Sequence, residues 1–377
     1  MMRTLGYAAS LALAAGGVVA TYDQQRPLGT APGSPKSQLL DLHKSLVERA
    51  SVTGDEHNVS QFLQQYLGSK GFGVDLQPVE GGRENVLAYL GDSRESRILV
   101  TSHIDTVPPF FPYARKGDEI WGRGSSDAKG SVATQIAAVE SLRQKGEVED
   151  NDVALLFVVG EESGGDGMRT ANDLGLSWEA VIFGEPTELK LARGHKGGIG
   201  FNVTAKGKAG HSGYPEMGRN AIDILIDDLY ALKKLKLPGS EEFGDTTLNI
   251  GQINGGVAAN VIPETASATV AVRVAVEDPE LVKTSIRNAL EEVSPWIEVE
   301  FSSYGIGPVR IDHDVDGFET IVTNYGTDIP SLKGDHKKYL YGPGSILVSH
   351  SDHEHVSILD LLAAVDGYER LIKAAVK

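Results

Sequence analysis

The chain contains no cysteine. Disulfides are therefore excluded, and stability must come from a large hydrophobic core. Thiolate metal ligands are excluded as well, so any zinc site has to be built from His, Asp and Glu. Cationic residues are scarce: 35 Lys and Arg stand against 52 Asp and Glu, a net charge of −17. That balance disfavours nucleic acid and anionic membrane as partners. Beyond the N-terminal region no stretch approaches eighteen uninterrupted apolar residues, which argues against a membrane-spanning helix. Internal repeats and low-complexity tracts are missing too. What remains is 377 residues, 41% hydrophobic and 23% charged, enough for a soluble protein of two ordinary domains.

The N-terminus reads as a processing signal. Arg3 supplies a positive start, Leu5 to Ala15 an apolar run, and Val18-Val19-Ala20 a small-residue cleavage site. Residues 1–20 are thus expected to be a signal peptide, and the protein to be secreted. Residues 21–36, rich in Gly, Pro, Gln and Thr, read as a leader or propeptide. Two sequons, Asn58-Val-Ser and Asn202-Val-Thr, are compatible with glycosylation on that route.

Amphipathic helices are expected over 37–50, 58–70 and 128–144, with strand candidates at 73–79 and 85–90. Three β-branched, apolar runs then deliver polar groups at their ends. Arg97 to Asp105 ends with His103 and Asp105; Asp152 to Gly160 is followed by Glu161-Glu162; Glu179 to Phe183 is followed by Gly184-Glu185. Strands alternating with helices predict an α/β three-layer sandwich with a mostly parallel sheet. In such sheets ligands bind beyond the carboxyl ends of the strands, where these side chains would gather. From Gly194 the pattern becomes βαββαβ, a ferredoxin-like insert carrying helices over 219–234 and 279–293. The expected division is a catalytic domain of 37–193 and 304–377, interrupted by a lid of 194–303.

Each polar group also has a bland reading. Asp127, between the glycine-rich turn Gly122-Arg-Gly and the helix after it, reads either as an N-cap or as a ligand. His103 and Asp105 fall on one side of an extended chain, as a strand-end hydrogen bond or as a ligand with the residue that orients it. Glu161-Glu162 is either a solvated loop or a ligand beside a proton carrier. Near the C-terminus, His350, His353 and His355 lie interleaved with acids. Gly124-Ser-Ser126-Asp-Ala128 is a near miss to a serine nucleophile elbow, lacking the final glycine.

Taken together these segments resemble a known family. His103-Ile-Asp105-Thr-Val-Pro, Gly122-Arg-Gly-Ser-Ser-Asp127-Ala-Lys-Gly130, Glu161-Glu162 and Gly184-Glu185-Pro-Thr carry the likeness. So do Gly207-Lys-Ala-Gly-His211, Gly255-Gly-Val-Ala-Ala-Asn260 and Gly342-Pro-Gly-Ser. The family is that of the di-zinc metallopeptidases that includes aminoacylase, acetylornithine deacetylase, succinyl-diaminopimelate desuccinylase and glutamate carboxypeptidase. The resemblance implies two Zn2+ per chain, with Co2+ among the possible substitutes. Asp127 would be shared by both metals, His103 and Glu185 would hold one, and Glu162 and His350 the other. It makes Glu161 the general base, Asp105 the residue orienting His103, and His211 the stabiliser of the developing oxyanion. Asn260 and Arg273 would hold the substrate carboxylate, and the Asp127–Ala128 peptide would be cis.

Metals roughly 3.5–4 Å apart can hold a bridging hydroxide and polarise the scissile carbonyl. The expected activity is therefore a secreted, zinc-dependent exopeptidase, a carboxypeptidase acting on peptides. The alternatives are an N-acyl-amino-acid deacylase with the same machinery and a catalytically silent binding protein that keeps the fold. The resemblance also implies a homodimer formed through the lid.

Overall fold

The structure, a computed structural model, describes Ala31 and Gly33 to Lys377, apart from the side chain of Tyr304. The expected signal peptide and most of the leader lie outside the described residues. The leader's last two residues instead open a helix, Pro35–Val47, capped by the Ser34 hydroxyl with proline in its first turn.

The larger core is built on a six-stranded sheet. Its order is Gly73–Val79, Arg83–Tyr89, Val153–Val158, Ile98–His103, Ala180–Gly184 and Lys337–Tyr341. The last four are mutually parallel, and Arg83–Tyr89 runs antiparallel to both its neighbours. Strand Lys337–Tyr341 was not among the sequence expectations. Side chains alternate across the sheet, as its pleat requires. Ile98 and Val100 enter one apolar cluster with helices Pro35–Val47, Lys129–Lys145 and Ile358–Val376, while Leu99 enters the other. That second face is covered thinly, by the short helix Asp166–Ala171 and a three-stranded sheet of Leu191–His195, Val309–Arg310 and Thr320–Thr323. The result is a three-layer α/β sandwich.

The inserted unit has a core of its own. Its four antiparallel strands lie in the order Thr247–Gly255, Thr265–Val274, Gly197–Lys206 and Ile297–Ile306. Helices Ala221–Lys234 and Pro279–Glu291 pack on one face, starting at side-chain caps from Asn220 and Asp278. This is the ferredoxin-like βαββαβ order. The crossings fall at about Lys196 and Gly307, slightly later than the expected 194 and 304.

Register decides where the chemistry sits. His103 pairs with Val158, and Gly184 with Tyr341, so the parallel strands end at one edge. His103, Glu161, Glu162 and Glu185 follow from that edge by chain continuity.

Candidate active site

His103 ends its strand, and its ring is almost wholly buried. Its Nδ1 lies 3.0 Å from the carbonyl oxygen of Asp105. A carbonyl only accepts, so Nδ1 carries the hydrogen and Nε2 is turned to the acids. Asp127 Oδ1 is 3.1 Å from that nitrogen, and Glu185 Oε1 is 3.8 Å from it. Asp127 Oδ2 faces the other way, 3.4 Å from His350 Nε2. That nitrogen is also 3.0 Å from Glu162 Oε2. One carboxylate thus addresses two imidazoles with its two oxygens.

The capping role for Asp127 does not hold. The helix that follows is Lys129–Lys145, its cap is Ala128, and no side chain caps it. The Asp127–Ala128 peptide is cis, as the resemblance implied. The three C-terminal histidines also separate. Among them His350 meets the acids; His353 pairs with its neighbour Asp352, and His355 stacks on Trp121 at 4.8 Å. His350 holds a left-handed backbone, φ 61°, a conformation uncommon outside glycine.

The two adjacent glutamates have different surroundings because they occupy a tight 3-10 turn, Glu161–Ser163, which fans successive side chains apart. Glu162 contacts His350, whereas the Glu161 carboxylate has no hydrogen-bond or ion-pair partner among the described residues. Asp105 fixes the turn: its carboxylate accepts the backbone amides of Glu161 and Glu162 at 3.1 and 3.2 Å, and the Thr53 hydroxyl at 2.8 Å. It therefore positions the glutamates at least as directly as His103, whose Nδ1 is 3.5 Å from its Oδ1.

Proton affinities diverge inside this cluster. Burial drives Glu161 well above the ordinary carboxylate range, with Glu185, Asp328 and Glu162 adding to it against the charge of His103. Burial also takes Glu185 up to about 7. Asp127 is buried as well, but His103 and His350 outweigh that and hold its carboxyl well below the usual range. Hydrogen bonds to Asp127 and Glu162 push His350 up to about 10. Such divergence marks functional sites, and so many carboxylates at one cavity call for added positive charge.

The donor chemistry fits a divalent cation. One ligand atom from each of His103, Asp127 and Glu162 lies within 4.8 Å of the others. Glu185 and His350 extend the set on either side, all oxygen and imidazole nitrogen.

Comparison with known proteins points the same way. A family model described as the peptidase dimerisation domain of M20 matches residues 193–298, and one for peptidase family M28 matches 85–174. A peptidase M20 domain-containing protein of Schizosaccharomyces pombe is 48% identical over 340 residues, covering 89% of this chain and 84% of that protein. The chain belongs to the M20 peptidase family. The M28 match is confined to part of the catalytic unit, whereas the M20 likeness runs the length of the chain. A probable carboxypeptidase of Aspergillus clavatus is 44% identical over 393 aligned positions, covering 96% of this chain and 92% of that one. In fold, a tripeptidase from Staphylococcus aureus superposes with a TM-score of 0.74 at 22% identity, covering 90% of this chain and 98% of that one. As an M20 peptidase the protein is a metal-dependent hydrolase acting on amide bonds.

In this M20 peptidase the Asp127 turn is clamped from the far end of the chain. Glu354 Oε1 accepts the amides of Ser126 and Asp127 at 3.1 Å each, and Glu354 Oε2 pairs with Arg123 Nη1 at 2.7 Å. Both side chains of that pair are buried. Removing one partner strands a charge in the interior. Arg123→Ala is expected to lower stability by about 3–5 kcal/mol in urea titrations. A loss within experimental error would show that the clamp is idle. The Gly342-Pro-Gly344 turn has a related task. A Cβ on Gly342 would sit 2.5 Å from the Glu185 carbonyl, and one on Gly344, φ 81°, 2.3 Å from Ser126 Oγ.

The lid residues divide. Arg273 lines the same cavity as Asp127, Glu161 and Glu185, and has no ion-pair partner among the described residues. His211 and Asn260 adjoin each other, Ser212 N donating to Asn260 O at 3.1 Å, but neither lines that cavity. Within one chain the structure does not bring them to the metal ligands. The serine alternative fares worse. Ser125 Oγ has no hydrogen-bond partner among the described residues, and Ser126 Oγ donates to the carbonyl of Ser345.

Sequence reasoning missed Arg123, Thr53, Tyr325 and Asp328. Arg123 lay inside a quoted motif; Tyr325 and Asp328 are cavity residues from a loop without periodicity.

Proposed function

We propose that this M20 peptidase is a secreted, zinc-dependent exopeptidase of the carboxypeptidase kind. The observation that carries the reading is the split address of Asp127, one oxygen to His103 and one to His350, with an unengaged Glu161 alongside. Two zinc ions would be held by His103, Asp127 and Glu185 and by Asp127, Glu162 and His350, and when bound would supply Lewis-acid polarisation of water and the scissile carbonyl. Glu161 takes the proton of the attacking water and delivers it to the leaving nitrogen; its raised proton affinity suits both tasks. Arg273, unpaired in an acidic cavity, fixes the substrate's terminal carboxylate by charge and fork geometry. The relatives named probable carboxypeptidases support that direction of attack.

His211 would be supplied by the lid of a second copy of this chain, making a homodimer. The lid offers a suitable surface, with Tyr214, Met217, Tyr230, Ile253 and Val257 exposed. Export rests on the N-terminal signal alone, and culture medium assayed for the protein decides it.

The test is a substrate screen on metal-analysed protein with light scattering alongside. Activity on dipeptides should exceed that on acetyl-amino acids, vanish with a chelator and return with zinc. The scattering mass should be twice that of the chain. Chelator-resistant hydrolysis would remove the mechanism, and faster turnover of acetyl-amino acids would assign a deacylase instead.

A further inference from the structure

One acid at the cavity enters the chemistry described above only through its charge on Glu161. Asp328 lines it, is 6% exposed, and its Oδ2 has no hydrogen-bond partner among the described residues. It stands at the start of the 3-10 turn Ile329–Ser331, yet its side chain makes no capping hydrogen bond. Arg169, whose charge reaches it, is hydrogen-bonded to Asp166 and to the carbonyl of Gly164 instead. A buried carboxylate without a partner is costly to leave ionised, and burial here pushes its proton affinity up to about 8.

Glycine lets the backbone after Glu162 pack closely against it. A Cβ on Gly165, φ 79°, would lie 2.8 Å from Asp328 Oδ1 and 3.0 Å from Ser331 Oγ. Gly164, Gly165 and Ser331 line the cavity as well. An acid and a hydroxyl therefore stand close together on the wall of the cavity that Glu161 also lines. Two acceptors side by side on that wall match the donors of a primary ammonium, whose charge would also restore that of the carboxylate. Arg273 has its own place, near Gly326 and Gly198. With about 240 Å³, the cavity is smaller than the ~300–1,000 Å³ common for small-molecule sites, which favours short substrates.

We propose that Asp328, with Ser331 beside it, binds a primary ammonium group of the substrate, so that short peptides carrying a free amine are taken in preference to those without one. This rests on the amide-hydrolase reading and narrows its substrate class. The amine is either the peptide's α-amino group or a lysine side chain, and the substrates below separate the two.

The experiment compares kcat/KM of the metal-loaded enzyme on alanyl-leucine, N-acetyl-alanyl-leucine and N-acetyl-lysyl-leucine, then repeats it with Asp328→Asn. Charged hydrogen bonds of this type predict an advantage of roughly 10- to 100-fold for a substrate carrying the recognised amine. In the variant the ratio of the rate on the amine-bearing substrate to that on N-acetyl-alanyl-leucine should collapse towards one, whatever common change the lost charge near Glu161 brings to all three substrates. Preference for alanyl-leucine assigns the α-amine, and preference for N-acetyl-lysyl-leucine the side chain. Equal wild-type rates on all three overturn the proposal, as does a variant that slows every substrate alike. If the variant does not fold, the wild-type ratios decide alone. Hydrolysis of none of the three would remove the exopeptidase reading and this one with it, whereas brisk turnover without selectivity would remove this one only.

Discussion

Glu161→Gln is expected to cut kcat by roughly 10²- to 10⁴-fold while leaving bound metal in place. The substitution keeps the shape of the side chain and removes its ability to accept a proton. Nothing else should change, because the Glu161 carboxylate is not tied to any neighbour among the described residues and its backbone amide is held by Asp105 at 3.1 Å. Glu162 is the internal control. It shares a peptide bond with Glu161 but lies 3.0 Å from His350, so Glu162→Gln should lose metal as well as rate. Both variants should lose rate, and metal analysis separates them: Glu161→Gln keeps its metal and Glu162→Gln does not. A Glu161→Gln enzyme with full metal and more than about a tenth of wild-type activity would move the proton-transfer role to another group.

Asp127→Asn should be still more damaging. An amide nitrogen cannot donate a lone pair, so the variant keeps one competent oxygen where the wild type uses two. Whichever histidine faces the amide nitrogen also loses its carboxylate contact with residue 127, at 3.1 Å for His103 or 3.4 Å for His350. Altering a residue that merely supports a ligand typically costs 10- to 100-fold in metal affinity, and loss of a shared ligand should exceed about 100-fold. The expected result is a folded protein with less than a full complement of metal and no measurable turnover. Dialysed variant that still holds two ions per chain would refute the sharing.

How far these residues could be found beforehand depended on local pattern. His103, Glu161-Glu162 and Glu185 were legible because each follows a run of β-branched and aliphatic residues that can only be an interior strand. Asp127 sat between a turn and a helix, two strong local signals, although those signals also allowed a capping role that the structure replaces. Strand Lys337–Tyr341 was not legible: it lies on the sheet edge and begins with two lysines, so it lacks the apolar run of its neighbours. His350 could not be told from His353 and His355 by spacing, since their loop has no repeating geometry. The Arg123–Glu354 pair spans 231 residues, and Asp328 owes its place to packing against Gly165; neither leaves a trace in local sequence. The lid's βαββαβ alternation was legible throughout. Whether His211 serves its own chain or a neighbour's is a matter of assembly, and no periodicity encodes it.

The clamp between Arg123 and Glu354 has a consequence for the life of the protein before it is finished. Because His350 and Glu354 are encoded after the inserted lid, a chain on the ribosome carries most of its ligands early and still cannot close the turn around Asp127. The residues proposed to hold the metals are therefore not all present until nearly the whole length of the chain has been made.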